Sequence, residues 1–131
     1  MILAHEYQRL CLTPSDINEH LPKFVAMVEA LDASHVIELG TRTGVSTVAW
    51  LHALEGRGHL TSVDIDPAPP IGEHKHWTFI QGDDLDPYVI ARLESAAIVF
   101  IVTPAPSVWF HRIPQSSNEP ARRSVPLSAP A

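Results

Sequence analysis

The chain has 131 residues, with 15 Asp/Glu against 9 Lys/Arg, 12 prolines, a single cysteine and a formal charge of −6. That length holds one domain, the acidic balance argues against a basic surface for nucleic acid or anionic lipid, and the lone Cys11 excludes an internal disulfide framework or a cysteine-based zinc site. With no basic-then-apolar start and no apolar run near ~18 residues, neither secretion nor membrane spanning is indicated, and a cytoplasmic protein is expected.

In chain order, residues 2–11 predict a short helix with Ile2, Leu3, Tyr7 and Leu10 as its apolar positions. Thr13-Pro14-Ser15-Asp16 combines a hydroxyl cap, a first-turn proline and an acid, a helix-start signal. Ile17, Leu21, Phe24, Val25, Val28 and Leu31 then recur at helical spacing, with Pro22 expected to bend or split the helix. These elements form an N-terminal helical segment, 1–34.

Between 35 and 103 the pattern alternates. His35–Leu39 reads as a strand, Gly40–Gly44 as a turn, Val45–Leu54 as a helix stopped by Gly56-Arg57-Gly58, and Leu60–Ile65 as a second strand. A Pro/Gly loop follows, then a third strand at Trp77–Gln81, a helix capped by Asp86-Pro87 and running through Leu93, and a fourth strand at Ala97–Val102. Val/Ile/Leu-rich strands separated by helices predict an α/β, Rossmann-like parallel sheet with helices on both faces.

Residues 104–131 differ in kind. They hold six of the twelve prolines, five serines and no glycine, and their charge is +2 against −8 for residues 1–103. With no sustained period, they read as an irregular Pro/Ser-rich tail in which a helix of useful length or a central strand is excluded.

The chemistry concentrates at Val36-Ile37-Glu38-Leu39-Gly40-Thr41-Arg42-Thr43-Gly44-Val45. A buried strand carries an acid near its end, a glycine turn follows, and a helix begins. Ligands of open α/β sheets bind at such strand ends, where glycines admit close backbone approach and helix N–H groups face the site. Gly40 and Gly44 stand four positions apart, not the five of the dinucleotide fingerprint, and Glu38 precedes them. An acid beside the turn suits a ligand with an ammonium and a sulfonium, which points to S-adenosylmethionine rather than to NAD.

The segment resembles motif I of class I S-adenosylmethionine-dependent methyltransferases, Asp/Glu-x-Gly-x-Gly-x-Gly, with Glu38, Gly40 and Gly44 matching and Arg42 at the middle-glycine position. Thr41 and Arg42 belong to the same turn. The resemblance implies that Asp64, ending the second strand, accepts from both ribose hydroxyls, that Ile65 lies against adenine, and that Asp83, in Gly82-Asp83-Asp84, accepts from the adenine amino group. A blander reading stands beside each: Glu38 as a helix cap, Asp64 and Asp66 as turn residues before Pro67, Asp83, Asp84 and Asp86 as acids favoured before a helix. His74-x-His76 has a metal-compatible spacing with no evident third ligand, so no metal is assigned.

The resemblance implies a seven-stranded sheet whose first four strands run 3-2-1-4, here incomplete at about four, with 35–103 as the cofactor-binding half. The fourth strand lacks the terminal acid common in the family and passes into Val102-Thr103-Pro104. No catalytic residue is assigned, and a truncated or frame-shifted coding region is one origin for the tail. The competing origin is a short natural protein whose tail wraps the open edge. Strand 97–102, apolar on both faces, is expected to self-associate if left at that edge. The function expected is methyl transfer to an unknown acceptor, in an inactive form if the catalytic half is missing. The alternatives are a non-catalytic nucleoside-cofactor or protein-interaction module and, disfavoured by the glycine spacing, an NAD-dependent oxidoreductase.

Overall fold

The computed structural model describes residues 2–93, 98–101, 107–111 and 122–126. Helix α1 (Leu3–Leu12) is followed by a 3-10 turn at Asn18–His20 and helix α2 (Leu21–Leu31). Strand β1 (His35–Leu39), helix α3 (Val45–Leu54), strand β2 (His59–Asp64) and strand β3 (Trp77–Gln81) come next. Helix α4 (Pro87–Ile90) leads to strands β4 (Ile98–Ile101), β5 (Ser107–His111) and β6 (Arg122–Pro126).

The sheet order is β3-β2-β1-β4-β5-β6. The first four strands are parallel, in the expected 3-2-1-4 order. The last two are antiparallel and extend the sheet beyond β4. Thus part of the tail expected to be irregular forms strands. Its prolines leave two windows: Ser107–His111 contains none, and in Arg122–Pro126 the only proline is terminal, where a missing N–H costs least. A second consequence concerns residues 97–102. Ile98–Ile101 is hydrogen-bonded to β1 on one side and β5 on the other. The open edge on which self-association was expected is therefore occupied by the chain's own β5.

Pro22 neither bends nor splits a helix; it sits in the first turn of α2. A proline there lacks only an N–H that has no intrahelical acceptor, whereas a helix begun at Thr13 would have carried it internally. Residues 13–17 instead form a linker. The Thr13 hydroxyl donates to the Arg9 carbonyl at 2.7 Å, and the Ser15 N–H donates to Asn18 Oδ1 at 3.1 Å. Helix α4 is also shorter than expected. Asp86 caps it, its Oδ1 accepting the Tyr88 N–H at 2.9 Å, and after Ile90 the chain continues in turns to Leu93.

The core lies between one sheet face and helices α1, α2 and α3. Helix α3 has buried residues all round, Ser46 to Leu51 and Leu54, because it is enclosed by the sheet and the two N-terminal helices. Phe24 of α2 stacks on Trp50 of α3 with centroids 4.4 Å apart, and Phe100 of β4 lies 4.9 Å from Phe24. On the opposite face Val89 of α4 packs against Val63 and Ile80. The first face thus clamps the helix that begins at the glycine turn, and the second seats the segment that leaves β3.

Candidate functional site

Three strand ends are tied side by side by backbone hydrogen bonds. The Gly40 N–H donates to the Val63 carbonyl at 2.7 Å, and the Gly82 N–H donates to the Asp64 carbonyl at 2.8 Å. Residues after β1, β2 and β3 therefore share one rim at the carboxyl end of the parallel strands, where ligands of open α/β sheets sit.

The turn after β1 needs its glycines. Gly40 and Gly44 have φ of 95° and 93°, a region that L side chains rarely adopt. A Cβ on Gly44 would also come within 3.0 Å of Pro69. Arg42 takes a positive φ too, 47°. The position where the motif has its middle glycine thus keeps a glycine-like backbone under a different side chain. That side chain pairs with the linker after α1: Arg42 Nη1 donates to Asp16 Oδ2 at 2.6 Å, with both groups more than half exposed. Asp16 thereby anchors the linker after α1 to the turn. A cavity of about 40 Å³ lies beneath this pair, bordered by Ile17, Thr43, Val45 and Ser46. It has room for a few atoms and not for a nucleoside.

Asp64 fixes the turn from β2. Its Oδ2 accepts the Thr41 N–H at 2.7 Å, the Thr41 hydroxyl at 3.0 Å and the Arg42 N–H at 3.3 Å, while Oδ1 accepts the Asp66 N–H at 2.9 Å. Partial burial disfavours its charge, but these donors outweigh that cost and hold the carboxyl below its ordinary pKa. The site therefore carries an ionised carboxylate at neutral pH. Ile65, the next residue, is 69% exposed at the rim. Asp83 is exposed after Gly82, its Oδ1 accepting the Leu85 N–H at 2.8 Å. Gly82 itself is dictated by packing, since a Cβ there would lie 2.8 Å from Val89 Cγ2.

Glu38 is placed differently from the other candidates. It is fully buried, and its carboxylate accepts from Ser46 Oγ at 2.6 Å, Thr47 Oγ1 at 2.7 Å and Ser62 Oγ at 2.9 Å. Ser62 in turn accepts from Trp77 Nε1 at 3.0 Å. Burial pushes the Glu38 carboxyl up to about 7, against the pull of the three hydroxyls and with the negative charge of Asp64 adding to the rise. Thus Glu38 joins β1, β2 and the first turn of α3 beneath the turn and offers no oxygen to the rim. The hydroxyl set was missed in the sequence. Its available signal was Ser46-Thr47 opening a helix that is otherwise apolar but for His52, and Ser62 inside a buried strand.

His74 and His76 each use Nε2 on a backbone carbonyl, of Ile71 at 3.0 Å and Leu51 at 2.9 Å. Among the described residues no group of three or more His, Cys, Asp or Glu is arranged to hold a metal ion, and no helix is long and apolar enough to cross a membrane.

No family model matches the sequence, and no curated protein matches it. Solved structures do. The SAH-bound methyltransferase PaMTH1 of Podospora anserina aligns over 76% of this chain and 48% of its own, with a TM-score of 0.51 and 11% identity. A cyclopropane-fatty-acyl-phospholipid synthase-like protein from Lactobacillus casei aligns over 76% and 45%, with a TM-score of 0.48 and 16% identity. The structure titled cmcI-D160 Mg-SAM aligns over 66% and 40%, with a TM-score of 0.46 and 18% identity. The chain spans less than half the length of each. The likeness to PaMTH1 is one of fold: this chain has an incomplete Rossmann-like α/β fold, with its parallel strands in the order 3-2-1-4.

Proposed function

We propose that the rim formed by the ends of β1, β2 and β3 binds S-adenosylmethionine, and that the protein is an S-adenosylmethionine-dependent methyltransferase or the cofactor-binding part of one. The observation that carries this reading is Asp64, an ionised carboxylate at the end of β2, held beside the glycine turn by Thr41 and beside Asp83 through the Gly82 N–H. The residues present fit such a ligand. Asp64 Oδ2 is taken up by the turn, while Oδ1 accepts only the Asp66 N–H and keeps a lone pair for a ribose hydroxyl. Exposed Ile65 offers an apolar surface for adenine, and Asp83 an acceptor for its amino group.

Within this reading Thr41 orients Asp64, and Glu38 holds the turn from below as a positioning residue. Arg42 stays with Asp16 and ties the linker after α1 to the turn. Bound S-adenosylmethionine would supply a methyl group on a sulfonium; the chain's part is to hold the ribose, adenine and amino-acid portions in one orientation, the placement on which methyl transfer depends. A second reading is binding without turnover. It is favoured by the sequence after β4, Val102-Thr103-Pro104, which contains no acid or base.

Calorimetric titration of the full chain with S-adenosylhomocysteine and, separately, NAD tests the proposal. Saturable binding of the first and none of the second supports it. Binding of NAD alone would replace it with the oxidoreductase reading, and binding of neither would overturn it.

A further inference from the structure

Among the described residues the six-stranded sheet ends on β3 at one side and β6 at the other. In sequence, β6 carries Arg122, Arg123 and Pro126, the charges and proline that discourage strand addition. Strand β3, Trp77-Thr78-Phe79-Ile80-Gln81, carries no charge, proline or glycine. Its backbone polarity can be read from two bonds to β2. The Leu60 N–H donates to the His76 carbonyl at 2.8 Å, and the Gly82 N–H donates to the Asp64 carbonyl at 2.8 Å. Positions 76, 78, 80 and 82 therefore face β2, and the peptide groups of Trp77, Phe79 and Gln81 face away from the sheet.

We propose that this edge joins β3 of a second copy of the chain, antiparallel, about a two-fold axis at Phe79. The odd length of the strand puts Phe79 at its centre, so a two-fold axis pairs Phe79 with Phe79 of the second copy and Trp77 with Gln81. All three positions present outward peptide groups, so the pairing is in register for hydrogen bonding without distortion. The Trp77 N–H is already given to the His74 carbonyl at 3.1 Å. The inter-copy bonds are then the reciprocal Phe79 pair and, at each end, Gln81 N–H to Trp77 carbonyl. Charge along the strand does not oppose an identical partner. A two-fold axis brings like groups together, and although the whole chain is at −6, this strand is neutral, so the approach of two copies meets no repulsion along it. The segment leaving β3 adds apolar surface: Leu85 is 79% and Tyr88 85% exposed. Phe79 on Phe79 of the second copy would be the central aromatic cross-strand pair.

The full chain, measured by sedimentation velocity over a concentration series, is expected to show a monomer–dimer equilibrium. Two variants act on the edge by different means. Phe79→Lys places two charges on the axis, and Gln81→Pro removes an outward N–H without touching the bonds to β2. Each is expected to weaken dimerisation by about tenfold or more. Because either variant can fold poorly, amide hydrogen exchange in the unmodified chain gives a second readout. The amides of Phe79 and Gln81 should exchange at least about tenfold more slowly in concentrated than in dilute protein, while exposed amides elsewhere are unchanged. A chain that stays monomeric, a dimer that survives both substitutions, or edge amides indifferent to concentration would overturn the proposal.

Discussion

Asp64 Oδ2 takes both the backbone N–H and the hydroxyl of Thr41, at 2.7 and 3.0 Å, so the end of β2 holds the turn that follows β1. This pair makes the rim one unit. Asp64→Asn keeps the shape and removes the charge, and the turn N–H groups then donate to a neutral acceptor. Unfolding free energy should fall by about 1–2 kcal/mol. Affinity for S-adenosylhomocysteine should fall about tenfold or more in calorimetric titration, since the same carboxylate is proposed to take a ribose hydroxyl through Oδ1. A variant that loses stability but keeps its affinity would remove Asp64 from the binding role.

The buried Glu38 should leave a signature in stability against pH. Its pKa in the folded chain is raised to about 7 from an ordinary 4.5, so the folded state holds a proton that the unfolded state has lost between those values. Stability from this group is therefore full below about pH 4.5 and is lost as pH rises to 7, by about 3 kcal/mol. Asp64 acts in the opposite sense: its lowered pKa contributes stability above the ordinary carboxylate range and loses it in more acid solution. Chemical denaturation of the parent and of Glu38→Gln from pH 4 to pH 8 isolates the first effect. The difference between them should shift in favour of the glutamine variant as pH rises; a constant difference would contradict the raised pKa.

Arg42 occupies a left-handed backbone position and makes one exposed ion pair. The backbone cost and the ion pair are each of order 1 kcal/mol, and glycine additionally loosens the unfolded chain. Arg42→Gly should therefore remain within about 1 kcal/mol of the parent. Arg42→Val, β-branched at a positive φ, should lose about 1–2 kcal/mol. Equal stability of the two variants in a denaturant titration would mean that the turn does not need this conformation.

Gly82 connects β3 to the Asp83 acceptor through a contact with α4. Adding a methyl in Gly82→Ala puts it 2.8 Å from Val89 Cγ2, and overpacking of this kind costs about 1–3 kcal/mol. In a Val89→Ala background the same change should cost less, and a double-mutant cycle measures the difference. Additive effects would place the strain elsewhere.

Much of the fold between residues 35 and 81 was legible because local signals agree there. β-branched runs, glycine breaks and one strongly apolar helix mark β1, α3 and β3 at the bounds the structure has. Pro22 was misread because periodicity continued across it; only the missing N–H bond decides that the helix starts there. Strands β5 and β6 were invisible, since their pairing depends on an edge distant in sequence and prolines break the pattern around them. The rim was legible as three acids in order on three strand ends. What was not legible was the difference between them: Asp64 and Asp83 reach the surface, whereas Glu38 is closed in by Ser46, Thr47 and Ser62, an arrangement created by α3 packing over β1 and β2.

Amide chemical shifts of the full chain on titration with S-adenosylhomocysteine test most directly whether the rim built from the ends of β1, β2 and β3 is the binding site. Saturable shifts are expected at Gly40–Gly44, Ile65 and Asp83, with the amides near His35 and His59, at the opposite end of the strands, unmoved. Shifts confined to that opposite end, or no saturable shift at any of these residues, would contradict it.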